Sequence, residues 1–346
     1  MILVMVTRKV DRNEHLAGFI YNWVKKLGEQ VDELRVISWQ EGDSTGLPKN
    51  IKVTHLKTKQ NKLVKAIVFR RAVKNNLKGA DGIFCHQMPI YTILAAPYAR
   101  RYKKKLVSWY MHKTVDRKMK KMEKGSDVVL SASKDSFRLD SNKLILTGHG
   151  IDIEKFKPLS NLKATNVFRI VSVGRISPTK DYESMIKAMD ILVDSGLSDL
   201  TLTIIGEPGL ENQKTYFENL KQMVSKMNLT AKVWFLGSVP NNEISHHLQQ
   251  SDLFLNLSGT GSVDKAVLEA MACECIPLTS NEAFKDILPA ELMVEKDNPR
   301  KLAEKIKQIF EMSEAEKDSL RKQLRQEVVA DHNLDNLVKK IVEQFK

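Results

Sequence analysis

Phe168-Arg169-Ile170-Val171-Ser172-Val173-Gly174-Arg175-Ile176-Ser177-Pro178-Thr179-Lys180-Asp181 decides the architecture of the second half of this 346-residue chain. Four of its first six residues, Phe168, Ile170, Val171 and Val173, are apolar, and the segment ends at a glycine, as a largely buried strand would. A glycine-initiated loop follows and opens onto residues 182–193, whose apolar positions have helical spacing. The same strand–loop–helix unit then recurs. Strands are expected at 200–205, 233–236, 253–257 and 276–279, with helices at about 216–227, 243–249 and 265–272 between them. Alternation of this kind builds a parallel sheet covered on both faces, so the domain is α/β and doubly wound.

The first half has the same rhythm. Apolar runs at 2–6, 34–38, 51–55, 82–85, 105–109, 128–131 and 143–146 read as strands, with helices expected at about 16–27, 63–77 and 90–98. A turn carrying Gly and Pro at 150–158 separates the halves. Helices at about 299–312 and 334–345 end the chain. Two Rossmann-like domains are therefore expected, facing each other across a cleft. In open parallel sheets ligands bind beyond the carboxyl ends of the strands, and chemistry is sought in those loops.

Hydrophobic residues make up 42% of the chain, enough for two cores, and 28% are charged, which argues against disorder. No apolar run approaches the roughly 20 residues of a spanning helix. The chain begins on a strand-length apolar run without a basic leader, so a soluble, cytoplasmic protein is expected. Cys85, Cys273 and Cys275 are too few and too poorly spaced for a disulfide framework or a zinc site, and read as reduced thiols. The net charge of +13 is uneven: residues 1–150 hold 30 Lys and Arg against 13 Asp and Glu, a net of +17. An anionic partner is expected for that half.

Two loops carry the candidate chemistry. Arg175 and Lys180, five apart after Gly174, form either a diphosphate clamp, one fork and one point charge, or two ordinary surface cations. The second loop, Ser258-Gly259-Thr260-Gly261-Ser262-Val263-Asp264-Lys265, runs into a helix, presenting free N–H groups and a positive helix end suited to a phosphate. Lys265 at that helix start sits against the helix dipole unless an anion compensates. Glu269, one turn in, lies among Ala266, Val267, Leu268, Ala270, Met271 and Ala272. It is either a buried carboxylate needing donors, which ribose hydroxyls would supply, or a residue on the exposed side.

Taken together, these pieces resemble the retaining GT-B glycosyltransferases of glycosyltransferase family 4, also called the group 1 glycosyl transferases. The matches are Gly148-His149-Gly150-Ile151-Asp152 with Phe156, Val173-Gly174-Arg175 with Lys180, Ile204-Ile205-Gly206, Phe235-Leu236-Gly237-Ser238-Val239, and Leu268-Glu269-Ala270-Met271-Ala272, in that order. Trp109-Tyr110-Met111-His112 is the best match in the first half. The resemblance implies a GT-B architecture with an acceptor-side domain at 1–152, onto which the last helix, 333–346, packs back, and a donor domain at 153–332. It implies that Arg175 and Lys180 hold the diphosphate and Glu269 the ribose, with Gly237 to Val239 near the base. Gly174, Ser262, Val263 and Lys265 would line the donor, and His112 would face the transferred sugar. Arg8 and Lys9 stand on the acceptor side, in Thr7-Arg8-Lys9-Val10-Asp11, where the family usually has a double glycine. In one departure, Gly261 occupies the place of the first of two family glutamates, and Ser262-Val263-Asp264 replaces a Gly-aromatic-Gly.

The expected function is retaining hexosyl transfer (EC 2.4) from a nucleotide-diphosphate sugar to a lipid-linked or cell-envelope saccharide. No metal or other cofactor is expected, because cationic side chains and helix N–H groups would meet the leaving-group charge. The basic segment 63–77 reads either as a helix able to lie on an anionic membrane, which would put the protein peripherally on the inner membrane face, or as a core-packing helix with a solvated basic face. A nucleic-acid partner is not expected, since no basic-and-aromatic recognition motif stands out. The alternative is a non-catalytic GT-B module that binds a nucleotide-sugar or an anionic polymer.

Overall fold

Residues 1–14, 18–57, 61–159, 167–259 and 261–346 are described in the structure, a computed structural model. They form two compact units, Met1–Asp152 with Asp331–Lys346, and Ile153–Ala330.

The first unit runs β1 (Ile2–Lys9), α1 (Phe19–Gly28), β2 (Glu33–Gln40), β3 (Ile51–His55), α2 (Lys62–Asn76), β4 (Gly82–His86), α3 (Pro89–Arg101), β5 (Lys105–Trp109), α4 (Arg117–Gly125), β6 (Val128–Ser131) and β7 (Leu144–Leu146). Its seven strands are ordered β3-β2-β1-β4-β5-β6-β7 and all pair in parallel. Successive residues of β1 enter opposite cores. Leu3 and Met5 pack with Trp23, Val24 and Leu27, whereas Val4 and Val6 pack with Phe69, Val73 and Tyr91. Burial on both faces is why β1 reads as an unbroken apolar run instead of alternating. Two elements differ from expectation, and part of a third lies outside the described residues. β1 continues through Arg8 and Lys9, which therefore end a strand. Residues 16 and 17 of the expected first helix lie outside the described residues. α4 was not foreseen, because its only apolar signal in a run of cations is the buried pair Met119 and Met122.

α2 corrects a larger point. Its amino-terminal turns depart from the amphipathic reading: Leu63, Val64 and Ile67 are exposed, while Lys65 is buried with its ammonium 5.1 Å from the Trp39 ring centroid. The rest of the helix packs Val68, Phe69, Ala72 and Val73 on the core and leaves Arg70, Arg71 and Lys74 exposed. Burial lowers the Lys65 pKa, and the aromatic face supplies part of the lost solvation.

The second unit runs β8 (Phe168–Val173), α5 (Tyr182–Asp194), β9 (Leu200–Ile205), α6 (Asn212–Lys226), β10 (Val233–Gly237), α7 (Asn241–Gln249), β11 (Leu253–Asn256), α8 (Lys265–Ala272), β12 (Ile276–Thr279), α9 (Pro299–Glu311) and α10 (Glu314–Asp331). The parallel order β10-β9-β8-β11-β12 reverses direction between β8 and β11. The loops after those two strands therefore flank the topological switch point, the usual crevice for a ligand.

The last helix, α11 (Leu334–Glu343), belongs to the first unit. Its Leu337, Val338 and Ile341 join the core that holds Trp23 and Trp109. The segment Gly148-His149-Gly150-Ile151 receives it. The Ile151 amide donates to the His332 carbonyl at 2.7 Å, the Leu334 amide to the Ile151 carbonyl at 2.8 Å, and the His149 amide to His332 Nδ1 at 2.9 Å. Gly148 has φ +71, and a Cβ there would lie 1.6 Å from the Asp331 carbonyl oxygen. The glycines are required by chain crossing.

Two histidines in this unit are kept neutral by burial. His332 is pushed down to about 4, and His86, stacked on Trp109 with ring centroids 5.3 Å apart, down to about 3. The unfolded chain titrates near the ordinary histidine value of about 6.5 and so takes up protons that the folded chain refuses. Stability is then fully present above about pH 6.5. It falls as pH drops towards the folded values, by about 1.4 kcal/mol per pH unit for each histidine. Urea unfolding at pH 7 and pH 5 should differ by about 4 kcal/mol from these two sites. His332→Asn should remove roughly half of that difference; an unchanged pH dependence would contradict the account.

Candidate functional site

Beyond the carboxyl end of β8 the chain turns through Gly174 and Arg175 into a short 3₁₀ turn, Pro178–Lys180. Asp181 closes it in a left-handed conformation, φ +50, and caps α5 through the Ser184 amide at 3.3 Å. Its other oxygen takes the Asp297 amide at 2.8 Å. The loop is therefore anchored at its far end. The Lys180 side chain folds back across Gly174, whose Cβ position lies 3.3 Å from Lys180 Cε.

Lys180 Nζ reaches Asp264 Oδ2 at 2.9 Å, and Asn256 Nδ2 donates to the same oxygen at 3.0 Å. The two loops singled out in the sequence thus meet through a carboxylate that was read only as part of the second loop. Asn256, at the end of β11, is in turn fixed by the Thr279 hydroxyl at 3.1 Å. Asn281 Nδ2 donates to the Ser262 carbonyl at 2.8 Å, which holds the start of the loop against β12. Val263 is buried beneath it, whereas Gly174, Ser262 and Lys265, the other residues expected to line the donor, are partly open.

Glu269 is buried, which rules out the exposed-side reading. Its donor within the protein is Lys265, one helical turn earlier, whose ammonium bonds to Glu269 Oε1. Lys265 also lies 5.3 Å from the Phe156 ring centroid, so its charge is engaged twice. Glu269 Oε2 has no hydrogen bond from a described residue and remains for an incoming donor. Gly261 adopts φ +63, a backbone that suits glycine and would strain a glutamate by roughly 1–2 kcal/mol. The missing glutamate is thus accompanied by a loop conformation unsuited to it.

Gly206 and Gly237 sit at the ends of β9 and β10. A Cβ on Gly206 would lie 1.9 Å from the Gly174 carbonyl oxygen, and its amide donates to the Gly237 carbonyl at 2.8 Å. Glu207 accepts from the Ser238 amide at 3.3 Å, beside half-buried Val239. Arg175 is exposed and runs along Gly209, whose Cβ position is 3.1 Å from its Cδ. Among the described residues its guanidinium has no ion pair or hydrogen bond, so it is the ready cation of this edge. Lys180 is the committed one.

In the first unit His112 follows β5 on an exposed turn. Its amide donates to the Ser136 carbonyl at 2.8 Å, and its Nδ1 accepts from the Thr114 amide at 3.1 Å, which leaves Nε2 for another partner. Lys9, expected on the acceptor side, is ion-paired. Its ammonium binds Asp11 at 2.8 Å and Glu14 at 2.7 Å, and these carboxylates, Asp11 first, raise its pKa. Arg8 lies 3.9 Å from Glu14. The carboxylates of the following turn offset the charge of both.

The profile described as glycosyl transferases group 1 matches residues 152–327, half of the chain and nearly all of the second unit. The chain belongs to the group 1 glycosyl transferases. It is 33% identical over 152 residues to amylovoran biosynthesis glycosyltransferase AmsK of Erwinia amylovora, covering 41% of this chain and 34% of that protein. It is 29% identical over 153 residues to the UDP-Gal:alpha-D-GlcNAc-diphosphoundecaprenol alpha-1,3-galactosyltransferase of Escherichia coli, covering 41% of this chain and 38% of that protein. The chain spans about a third of the length of the curated relatives it matches. The crystal structure of HepE from Anabaena in complex with UDP superposes with a TM-score of 0.80 at 15% identity, covering 99% of both chains. This glycosyltransferase therefore has the GT-B fold, with two Rossmann-like units.

In this glycosyltransferase, reading residue by residue missed three groups that shape the edge: Asn256, Glu207 and Asn281. Glu207 directly follows the Ile204-Ile205-Gly206 match, and Asn256 breaks the apolar run of β11 at its last residue. Asn256 is a polar residue where a strand should stay apolar, and Glu207 is a carboxylate just past a strand-ending glycine; both signals are present in the sequence. The Lys265–Glu269 pair yields a test. Glu269→Ala leaves a poorly solvated ammonium and should cost about 3 kcal/mol in urea unfolding, whereas Lys265→Met with Glu269→Leu should recover most of it. Equal loss in the single and double variants would show that the loss does not come from an unpaired ammonium.

Proposed function

We propose that this glycosyltransferase moves a hexosyl group from a nucleotide-diphosphate sugar to a lipid-linked or cell-envelope saccharide, with retention of configuration and without a metal ion. The observation that carries the proposal is the edge at the switch point: unpaired Arg175 and the Lys180–Asp264 pair lie on the loops after β8 and β11, and the open oxygen of Glu269 lies in α8, which the second loop enters. A diphosphate arriving there competes with Asp264 for Lys180 and meets Arg175 as a fork. No side chain caps α8, so its first-turn amides face the same edge. Ribose hydroxyls are the donors that Glu269 Oε2 lacks. The UDP held by HepE and the UDP-sugar in the name of the Escherichia coli relative support this donor class.

The acceptor reading rests on the first unit. Among the described residues no helix is long and apolar enough to cross a membrane. The exposed Leu63, Val64 and Ile67 of α2 lie beside exposed Arg70, Arg71 and Lys74, a surface that suits an anionic bilayer. The amino-terminal turns of α2 support this reading, because Leu63, Val64 and Ile67 face outward there. Co-sedimentation with anionic vesicles should fall when salt is raised from 0.1 M to 1 M, over which the Debye length shrinks from about 10 Å to 3 Å. It should also fall in a Leu63→Ser, Ile67→Ser variant. Binding that ignores both changes would remove the membrane from the proposal.

Arg175→Ala should weaken UDP binding by roughly 1.5–3 kcal/mol, measured by calorimetry. His112→Ala should keep UDP affinity and lose turnover, because a contact at the reacting sugar acts mainly in the transition state. Gly261, in place of the family glutamate, favours a second reading, a non-catalytic binding module. Tight UDP-sugar binding with neither transfer nor hydrolysis across a broad acceptor panel would decide for it.

A further inference from the structure

We propose a second anion site, remote from the donor edge: a hollow at the amino ends of β5, β6 and β7 binds a soluble ligand carrying two or more phosphate groups. The hollow has a volume of about 610 Å³ and is lined by Lys103, Lys104, Lys105, Lys124 and Lys143 together with Arg100. Asp127 is the one acidic side chain in its wall, and its Oδ2 is occupied by the Leu106 amide at 2.7 Å. Lys143 spends its ammonium on the Glu123 and Ser126 carbonyls, each at 3.0 Å, and Arg100 leans on the Lys124 carbonyl at 3.5 Å. Lys103, Lys104, Lys105 and Lys124 make no ion pair or side-chain hydrogen bond with any described residue.

Helix ends explain only part of this charge. The carboxyl ends of α3 and α4 both open here and favour cations in their last turns, which accounts for Arg100 and Lys124. Lys103, Lys104 and Lys105 lie beyond α3, and Lys103 takes φ +51, where a glycine would fit with less strain. Four unpaired ammonium groups around one hollow repel each other, and a multivalent anion removes that repulsion. A single phosphate would neutralise less than half of them, so the fitting ligand carries more than one. The place in the fold separates this site from the surfaces described above. α2 begins, and His112 lies, at the carboxyl edge of the same parallel sheet, so the hollow is at the end of the unit away from the exposed apolar turn. That position favours a dissolved phosphate compound over a lipid headgroup.

Isotope-labelled protein titrated with inorganic pyrophosphate should show saturable shifts at the amides of Lys104, Gly125 and Ser126. Lys103→Gln, Lys104→Gln, Lys105→Gln, Lys124→Gln together should weaken this binding at least tenfold without lowering Tm. Removing four exposed cations elsewhere in the unit, Lys25, Lys49, Lys74 and Lys339, should change it less than twofold. Equal weakening in both variants, or no saturable shift at these amides, would overturn the site. Shifts with phosphatidic acid vesicles but not with pyrophosphate would overturn the soluble ligand and assign the hollow to a headgroup.

Discussion

One oxygen of Asp264 accepts from Asn256 and from Lys180, and the geometry of the donor edge follows from that shared acceptor. Asn256 ends β11, Lys180 ends the turn after β8, and Asp264 precedes α8. A single carboxylate thus ties together the three elements that border the switch point. It also sets the electrostatics, because a lysine in a salt bridge is positioned yet not free. Among the described residues the edge is left with the unpaired guanidinium of Arg175, the held ammonium groups of Lys180 and Lys265, and a helix start without a side-chain cap. That set favours a multivalent anion, which exchanges with a carboxylate at Lys180 more readily than a neutral ligand does.

The scaffold constrains where such chemistry can occur. Both sheets are parallel and covered on both faces, so strand interiors are filled and only the edges are available. The glycines at 174, 206 and 237 bring three strand ends close together at the carboxyl edge of the second unit, since a Cβ on Gly206 would collide with the Gly174 carbonyl. In the first unit the same demand for close approach appears at Gly148, for another purpose. There the chain crosses the segment entering α11, and the family-like Gly148-His149-Gly150-Ile151 run serves the fold. A motif shared with a family of enzymes need not touch substrate.

Much of the fold was legible in the sequence because parallel strands buried on both faces leave apolar runs, unbroken over Ile2–Val6 of β1 and interrupted only by Arg169 and Ser172 in β8 and by two threonines in β9. Elements whose stability comes from tertiary packing were less visible. α4 buries two methionines among lysines, and α2 buries a lysine on a tryptophan while exposing leucine and isoleucine. Neither follows from periodicity, because the partner surfaces, Trp39 above all, are distant in sequence. At the donor edge the cations and the carboxylates could be read, but their pairing could not. Lys180 with Asp264, Lys265 with Glu269 and Lys9 with Asp11 and Glu14 are tertiary or local choices that a linear chain does not announce.

The account's central claim is that a nucleoside diphosphate occupies the switch point of the second unit. Amide hydrogen exchange of the whole chain with and without UDP tests it most directly. The account predicts slowed exchange in 174–181, 206–209 and 261–269, the three segments that border the edge. Slowed exchange confined to other segments, or none at saturating UDP, would contradict it.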